Sequence, residues 1–226
     1  MIGAYGAVMR KLIVNTFLSL DGVMQAPGGP EEDPTAGFEY GGWSVNYWDE
    51  VMGEVMSREF AEPFDLLLGR KTYEIFAAHW PHVDEPGAAE LNAATKYVAS
   101  TTLSPSDLSW EKSVLLEGEL GPAVEAAKAT DGPDLHVHGS SDLIQGLLAA
   151  DVIDEFRLVI FPLVLGPGKR LFGAGTVPAG LKLVASTVST TGVFLARYER
   201  AGDISVGSFA LEEPTEAEVE RRASLR

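Results

Sequence analysis

The sequence predicts an α/β fold in which a mixed, mostly parallel sheet carries helices on its faces and ends in an antiparallel hairpin. Three observations predict it. Short apolar runs such as LLLG at 66–69 and LVIF at 158–161 alternate with segments whose apolar residues recur at helical spacing. The order strand, helix, strand repeats in LHVHG, SSDLIQGLLAA and DEFRLVIFPLVLG, as parallel crossover units require. The last of these segments, LKLVASTV, STTG, VFLARYER, alternates polar and apolar residues on both sides of a turn, which is the pattern of a hairpin.

In chain order, residues 1–9 form an N-terminal extension, 10–200 the single domain and 201–226 a charged tail. RKLIVNTFL at 10–18 reads as the first strand, and the Gly/Pro/acidic stretch LDGVMQAPGGPEEDPTAGFEYGG as a long loop of the kind used for lids or insertions. Trp48, Met52, Val55, Met56 and Phe60 then recur at helical spacing, with Ser44 or Asn46 as caps and Pro63 as the stop, so Trp48 reads as core. A strand at 65–68 and a helix from Arg70 to Ala78 follow, then a loop with two prolines that carries His79 and His82. KYVAS at 96–100 and SVLLE at 113–117 are strands, and GPAVEAAKA from 121 is a helix with proline in its first turn. GPGK at 166–169 is a turn, because RLFGAG after it is too short for a helix. In the tail, Thr215-x-x-Glu218 is a capping-box pattern that predicts a short exposed helix.

Charge narrows the partners. The 226 residues hold 17 Lys+Arg against 33 Asp+Glu, a net charge of -16, which disfavours a general binder of nucleic-acid backbone. Any phosphate ligand must be held by local groups. The chain has no cysteine, hence no disulfide, thiolate site or thiol nucleophile. Its start lacks the pattern of a secretory signal, and its apolar runs are far too short to span a membrane. The expectation is a cytoplasmic protein with neither membrane nor nucleic acid as partner.

Two junctions share one design. In LLLGRKT, Gly69 lets the backbone approach a ligand while the next helix offers free N–H groups, with Arg70 and Thr72 adding a charge and a hydroxyl. In LHVHGSSDL, Gly139 ends a strand and Ser140 and Ser141 open a helix. Together they can hold a diphosphate. The plainer reading is that a serine caps its helix and Asp142 complements the dipole. A cation at a helix start, as at Arg70, is mildly unfavourable and favours an anionic partner for it. Neither junction is a Gly-x-Gly-x-x-Gly or a Gly-x-x-x-x-Gly-Lys-Ser/Thr motif. His136 and His138 alternate along a strand but lack a third ligand, so no metal is expected.

LSLDGVM at 18–24, LLLGRKTYE at 66–74, KYVASTTL at 96–103, HGSSDLIQGLL at 138–148, DEFRLVIFPLVLGPGKRLF at 154–172 and the closing hairpin, in this order, resemble the dihydrofolate reductase-like superfamily. The likeness is greatest to the branch of the riboflavin-biosynthesis reductase domain and its stand-alone bacterial relatives. The resemblance implies a three-layer α/β/α fold, NADPH as hydride donor, a small heterocyclic or carbonyl-like substrate and a homodimer. It places Gly69, Arg70 and Thr72 in one phosphate loop, Gly139, Ser140 and Ser141 in a second, and Ser100 and Thr101 at the adenosine 2′-phosphate. Many relatives carry an arginine after that serine, where this chain reads Ser-Thr-Thr; Lys96 or Lys112 would be the substitutes. Asp21, beside Gly22, and Asp49, with Glu50 next to it, become candidate catalytic carboxylates, against a turn for the first and dipole complementation for the second. Trp43, Tyr47 and Trp48 can stack on a planar ring. Two alternatives stay open: reduction of 5-amino-6-(5-phosphoribosylamino)uracil, and a non-catalytic module binding a nucleotide or a flavin such as FMN.

Overall fold

The computed structural model describes residues 9–173, 176–209 and 213–225. All of the proposed N-terminal extension except Met9 lies outside the described residues. Eight strands form one sheet: β1 (Leu12–Ser19), β2 (Phe64–Gly69), β3 (Lys96–Ala99), β4 (Ser113–Leu116), β5 (Asp134–Val137), β6 (Glu155–Phe161), β7 (Leu181–Val188) and β8 (Phe194–Arg200). Their spatial order is β4-β3-β2-β5-β1-β6-β8-β7. Every pairing from β4 to β6 is parallel. The β6–β8 and β7–β8 pairings are antiparallel, so the mixed sheet ends in the expected hairpin.

The helices α1 (Glu50–Phe60), α2 (Arg70–His79), α3 (Ala88–Ala93), α4 (Leu120–Lys128) and α5 (Ser141–Ala149) cover the sheet. The central parallel strands β1, β2, β5 and β6 are largely buried because both faces are packed, while β4 at the edge stays partly exposed. On one face Leu12, Val14, Leu135 and Leu158 meet Val124 of α4 and Ile144 of α5. On the other, Val159 and Phe161 pack with Trp43 and Met52, and Leu66 and Leu68 with Tyr73 and Leu91. The layers are therefore α1–α3, sheet, and α4–α5. A buried ion pair, Arg10 to Asp65 at 2.5 Å, ties the N-terminal ends of β1 and β2. Beyond the sheet, α6 (Glu216–Ala223) is the exposed helix expected in the tail, with the Thr215 hydroxyl accepting from the Glu218 N–H.

The helix expected from Ser44 starts six residues later. Its cap is Asp49, whose carboxylate accepts from the Met52 N–H, and neither Ser44 nor Asn46. Ser44 is instead committed to the long loop, donating from both its hydroxyl and its N–H to the Pro27 carbonyl. Val45–Tyr47 form a separate 3-10 turn and Trp48 is extended, which puts Trp48 outside the helix and leaves it 51 % exposed rather than in the core. The two-proline loop contains α3, a short alanine-rich helix absent from the sequence reading. His79 is the last residue of α2, and His82 lies in a 3-10 turn, Trp80–His82. No described helix is long and apolar enough to cross a membrane.

Candidate active site

The strands β3, β2 and β5 are neighbours, so the residues after them share one rim at the C-terminal ends of parallel strands, where open α/β sheets bind ligands. That rim joins all eight sequence-predicted cofactor residues. The Gly69 N–H donates to the Gly139 carbonyl at 3.0 Å, so the two glycine loops are in direct contact. A side chain at Gly69 would run into the Ser140 hydroxyl and stand 3.0 Å from its backbone nitrogen, and one at Gly139 would lie 2.5 Å from the Thr72 hydroxyl. Only glycines allow this approach.

Two helices begin at this contact, α2 after Gly69 and α5 after Ser140, and neither N-terminus is closed by a side-chain cap. Ser140 therefore sits in the cap position without capping, and both sets of first-turn N–H groups remain available to an anion. Arg70 reaches along α2 to Glu74, 3.0 Å away on the next turn, with its side chain 41 % exposed. Ser100 follows β3, where its hydroxyl accepts from the N–H groups of Thr102 and Leu103 and folds the chain back, leaving Thr101 exposed. Lys96 is no substitute for a missing arginine there. It is fully buried, lies 4.2 Å over the Trp110 ring and donates to the carbonyls of Asn92 and Glu111. Lys112 donates to the Ala93 carbonyl.

The two candidate carboxylates act as ties. Asp21 accepts from the Ser19 hydroxyl at 2.6 Å and from the N–H groups of Leu165 and Gly166, and pairs with Arg170. The Ser19 bond, aided by these backbone donors, outweighs burial and holds its carboxyl well below the usual range. Lys169 and Gln25 add further ties between the long loop and the segment after β6, through Asp33 and the Lys169 N–H. Asp49 accepts from Met52 and from both the N–H and hydroxyl of Thr190 in the β7–β8 turn, and these bonds lower its carboxyl as well. Asp21 and Asp49 thus fasten different loops.

On the α1 face of the sheet the structure brings together residues that the sequence reading left apart. Asn15 of β1, Met56, Glu59 and Phe60 of α1, and His136 and His138 at the end of β5 line one small recess. His136 stacks flat on Phe64 with ring centres 4.7 Å apart, and the two imidazoles are 6.4 Å from one another. Burial, then His138, then Arg157 push His136 down to about 2; burial and Arg157 push His138 down to about 4. Among the described residues no group of three or more metal-binding side chains occurs. The signal for Glu59 was present: it continues the inward spacing of Met52, Val55 and Met56, where an apolar residue is the norm. Nearby, Phe17 of β1 is 6.4 Å from the exposed Trp48, and Phe76 of α2 is 6.1 Å from His138.

The chain matches the RibD C-terminal domain family over residues 10–195. It belongs to that family. The Bacillus subtilis protein YyaP is 26% identical over 199 residues, spanning 85% of this chain and 96% of its own, and YwjB of the same organism is 27% identical over 180 residues, spanning 77% and 89%. Among solved structures, a Shewanella sp. PV-4 protein described under riboflavin biosynthesis aligns with a TM-score of 0.61 at 24% identity, over 84% of this chain and 99% of that one. A pyrimidine reductase-like protein from Corynebacterium diphtheriae aligns at 0.59 and 15% identity, over 86% and 93%. Enterococcus faecalis dihydrofolate reductase, complexed with NADP(H), aligns at 0.53 and 15%, over 84% and 96%. These likenesses establish the dihydrofolate reductase-like fold, and the family is one of reductases.

Proposed function

We propose that this protein is an NADPH-dependent reductase of a small heterocyclic or carbonyl-like substrate. The observation that carries the reading is the contact of Gly69 with Gly139, which sets two uncapped helix N-termini side by side in a cradle that any Cβ would fill. Such a pair of donor sets suits a diphosphate, because two anionic groups joined by one bridge need two adjacent clusters of N–H groups. NADPH, when bound, supplies the hydride. Thr72, Ser140 and Ser141 add hydroxyls to that cradle. Arg70 and Thr101, both at the rim, are the groups for a 2′-phosphate, with Arg70 exchanging its Glu74 carboxylate for the ligand. Phe17 and Trp48 offer apolar surface for a planar ring.

A titration of the purified protein with NADPH, NADH and FMN, followed by calorimetry, tests the reading. Tight NADPH binding with weaker NADH binding is expected. Arg70→Ala and Ser140→Ala should each weaken NADPH by about 1–3 kcal/mol, the worth of a hydrogen bond to a charged group, and Arg70→Ala should narrow the gap to NADH. Unchanged affinity in both variants, or binding of FMN alone, would overturn it.

A further inference from the structure

Reduction of a C=N or C=O bond needs a proton as well as a hydride, and the geometry separates the groups that can give one from those that cannot. Asp21 and Asp49 each accept three or more hydrogen bonds from N–H or O–H groups, so both stay ionised at neutral pH and have no proton to give. The recess beneath α1 is built the opposite way. Glu59 makes no hydrogen bond there, and burial, the largest influence on it, raises its carboxyl above the usual range; Glu155 works the same way, while Arg157, Arg197 and Arg58 oppose it. His138 lines the same recess, and its Nε2 is closed off from solvent with no hydrogen-bond partner. The recess has the room of about one water molecule, with Asn15, His136 and His138 as polar neighbours for it. His138 also directly precedes Gly139, whose carbonyl accepts from the Gly69 N–H, so one wall of the recess is a single residue from the proposed cofactor cradle.

We infer that Glu59 and His138 form a proton-delivery pair, with His138 the group that protonates the substrate and Glu59 the internal source that reloads it. The inference rests on the reductase reading. As the carbon of the C=N or C=O bond accepts the hydride, the π pair moves to nitrogen or oxygen, which takes the proton from one ring nitrogen of His138. The other ring nitrogen takes a proton from Glu59 through the water, and Glu59 is recharged from solvent. A neutral imidazole suits this role, because it holds one proton and one bare lone pair at the same time. His138 is therefore the catalytic residue, while Glu59 acts through it.

Imidazole 15N spectra of the labelled protein test the pair, first without and then with NADP+. In the wild type the His138 resonances should show a titration step that follows the ionisation of Glu59, with the ring itself remaining neutral. In Glu59→Gln that step should vanish. Added NADP+ should then shift the same resonances. A His138 ring with no step, a step that survives Glu59→Gln, or NADP+ binding that leaves His138 unmoved would each overturn the pair. Should Glu59→Gln fail to fold, 13C-labelled glutamate in the wild type reports the same ionisation, and its midpoint must coincide with that of the His138 step. Failure of NADP+ to bind would overturn the reductase reading instead. The two failures are distinct because the Glu59 step requires no cofactor.

Discussion

At the scale of single residues, Asp21 shows how a short motif acquires its meaning from distant chain. Asp-Gly reads as a turn in the sequence, and Gly22, at φ +81°, confirms that a left-handed conformation is needed there. What the sequence could not show is the carboxylate's acceptance from Leu165 and Gly166, 144 and 145 residues away. Asp21→Asn keeps the size but sets an NH2 group among N–H donors, and should cost about 1–2 kcal/mol in urea unfolding, the worth of a charged hydrogen bond or two. The sign with pH follows from a carboxyl lowered on folding. Its contribution is complete above the unfolded value of 3.8 and falls away as pH drops below it, so the deficit of Asp21→Asn should shrink in acid. A deficit equal at pH 7 and pH 3 would show that the charge is not what the loop uses. The rim glycines Gly69 and Gly139 were legible because each closes an apolar strand, but their mutual contact was not, since β2 and β5 are joined only in the folded sheet.

Among the elements, legibility followed length and burial. β2 and β3 were read nearly to the residue and β6 at its start, though five residues too long, because β2 and β6 carry buried apolar runs; α2, α4 and α5 were read because each is the element after a strand. The start of α1 was misread because Ser44, a good cap by type, is held by Pro27, and α3 was missed because six residues carry too little periodicity. Asp49 joins α1 to the β7–β8 turn through Thr190, so Asp49→Ala should speed amide exchange at both Met52 and Thr190; protection unchanged at Thr190 would separate the two elements. The other edge element is β7, whose eight residues are all exposed, Leu181, Leu183, Val184 and Val188 among them. A long apolar edge strand left bare is a site for pairing with another chain, and it is the surface through which we propose the homodimer. Leu183→Lys should then convert a dimer to a monomer in sedimentation. Equal masses for wild type and variant would remove β7 from the interface.

For the molecule as a whole, His136 of β5 and His138 just after it couple stability to pH above the range of the tied carboxylates Asp21 and Asp49. Both rings are held neutral in the fold, largely by burial, with folded values of about 2 for His136 and about 4 for His138 against an ordinary value of 6.5. The unfolded chain therefore binds protons that the folded chain refuses, and stability is complete above pH 6.5 and lost as pH falls below it. Each ring contributes a slope of up to about 1.4 kcal/mol per pH unit once the unfolded form is charged. Glu59 works in the opposite direction, since a carboxyl raised on folding favours the fold as it takes up its proton, and it blunts the loss without cancelling two rings. His136→Phe keeps a flat ring against Phe64 and removes one of the two titrating groups. Denaturation midpoints of the wild type should fall steadily between pH 6.5 and pH 5, and those of His136→Phe should fall about half as steeply. Parallel curves for the two proteins would mean that His136 takes up its proton in the folded state, and that the polar layer beneath α1 admits charge.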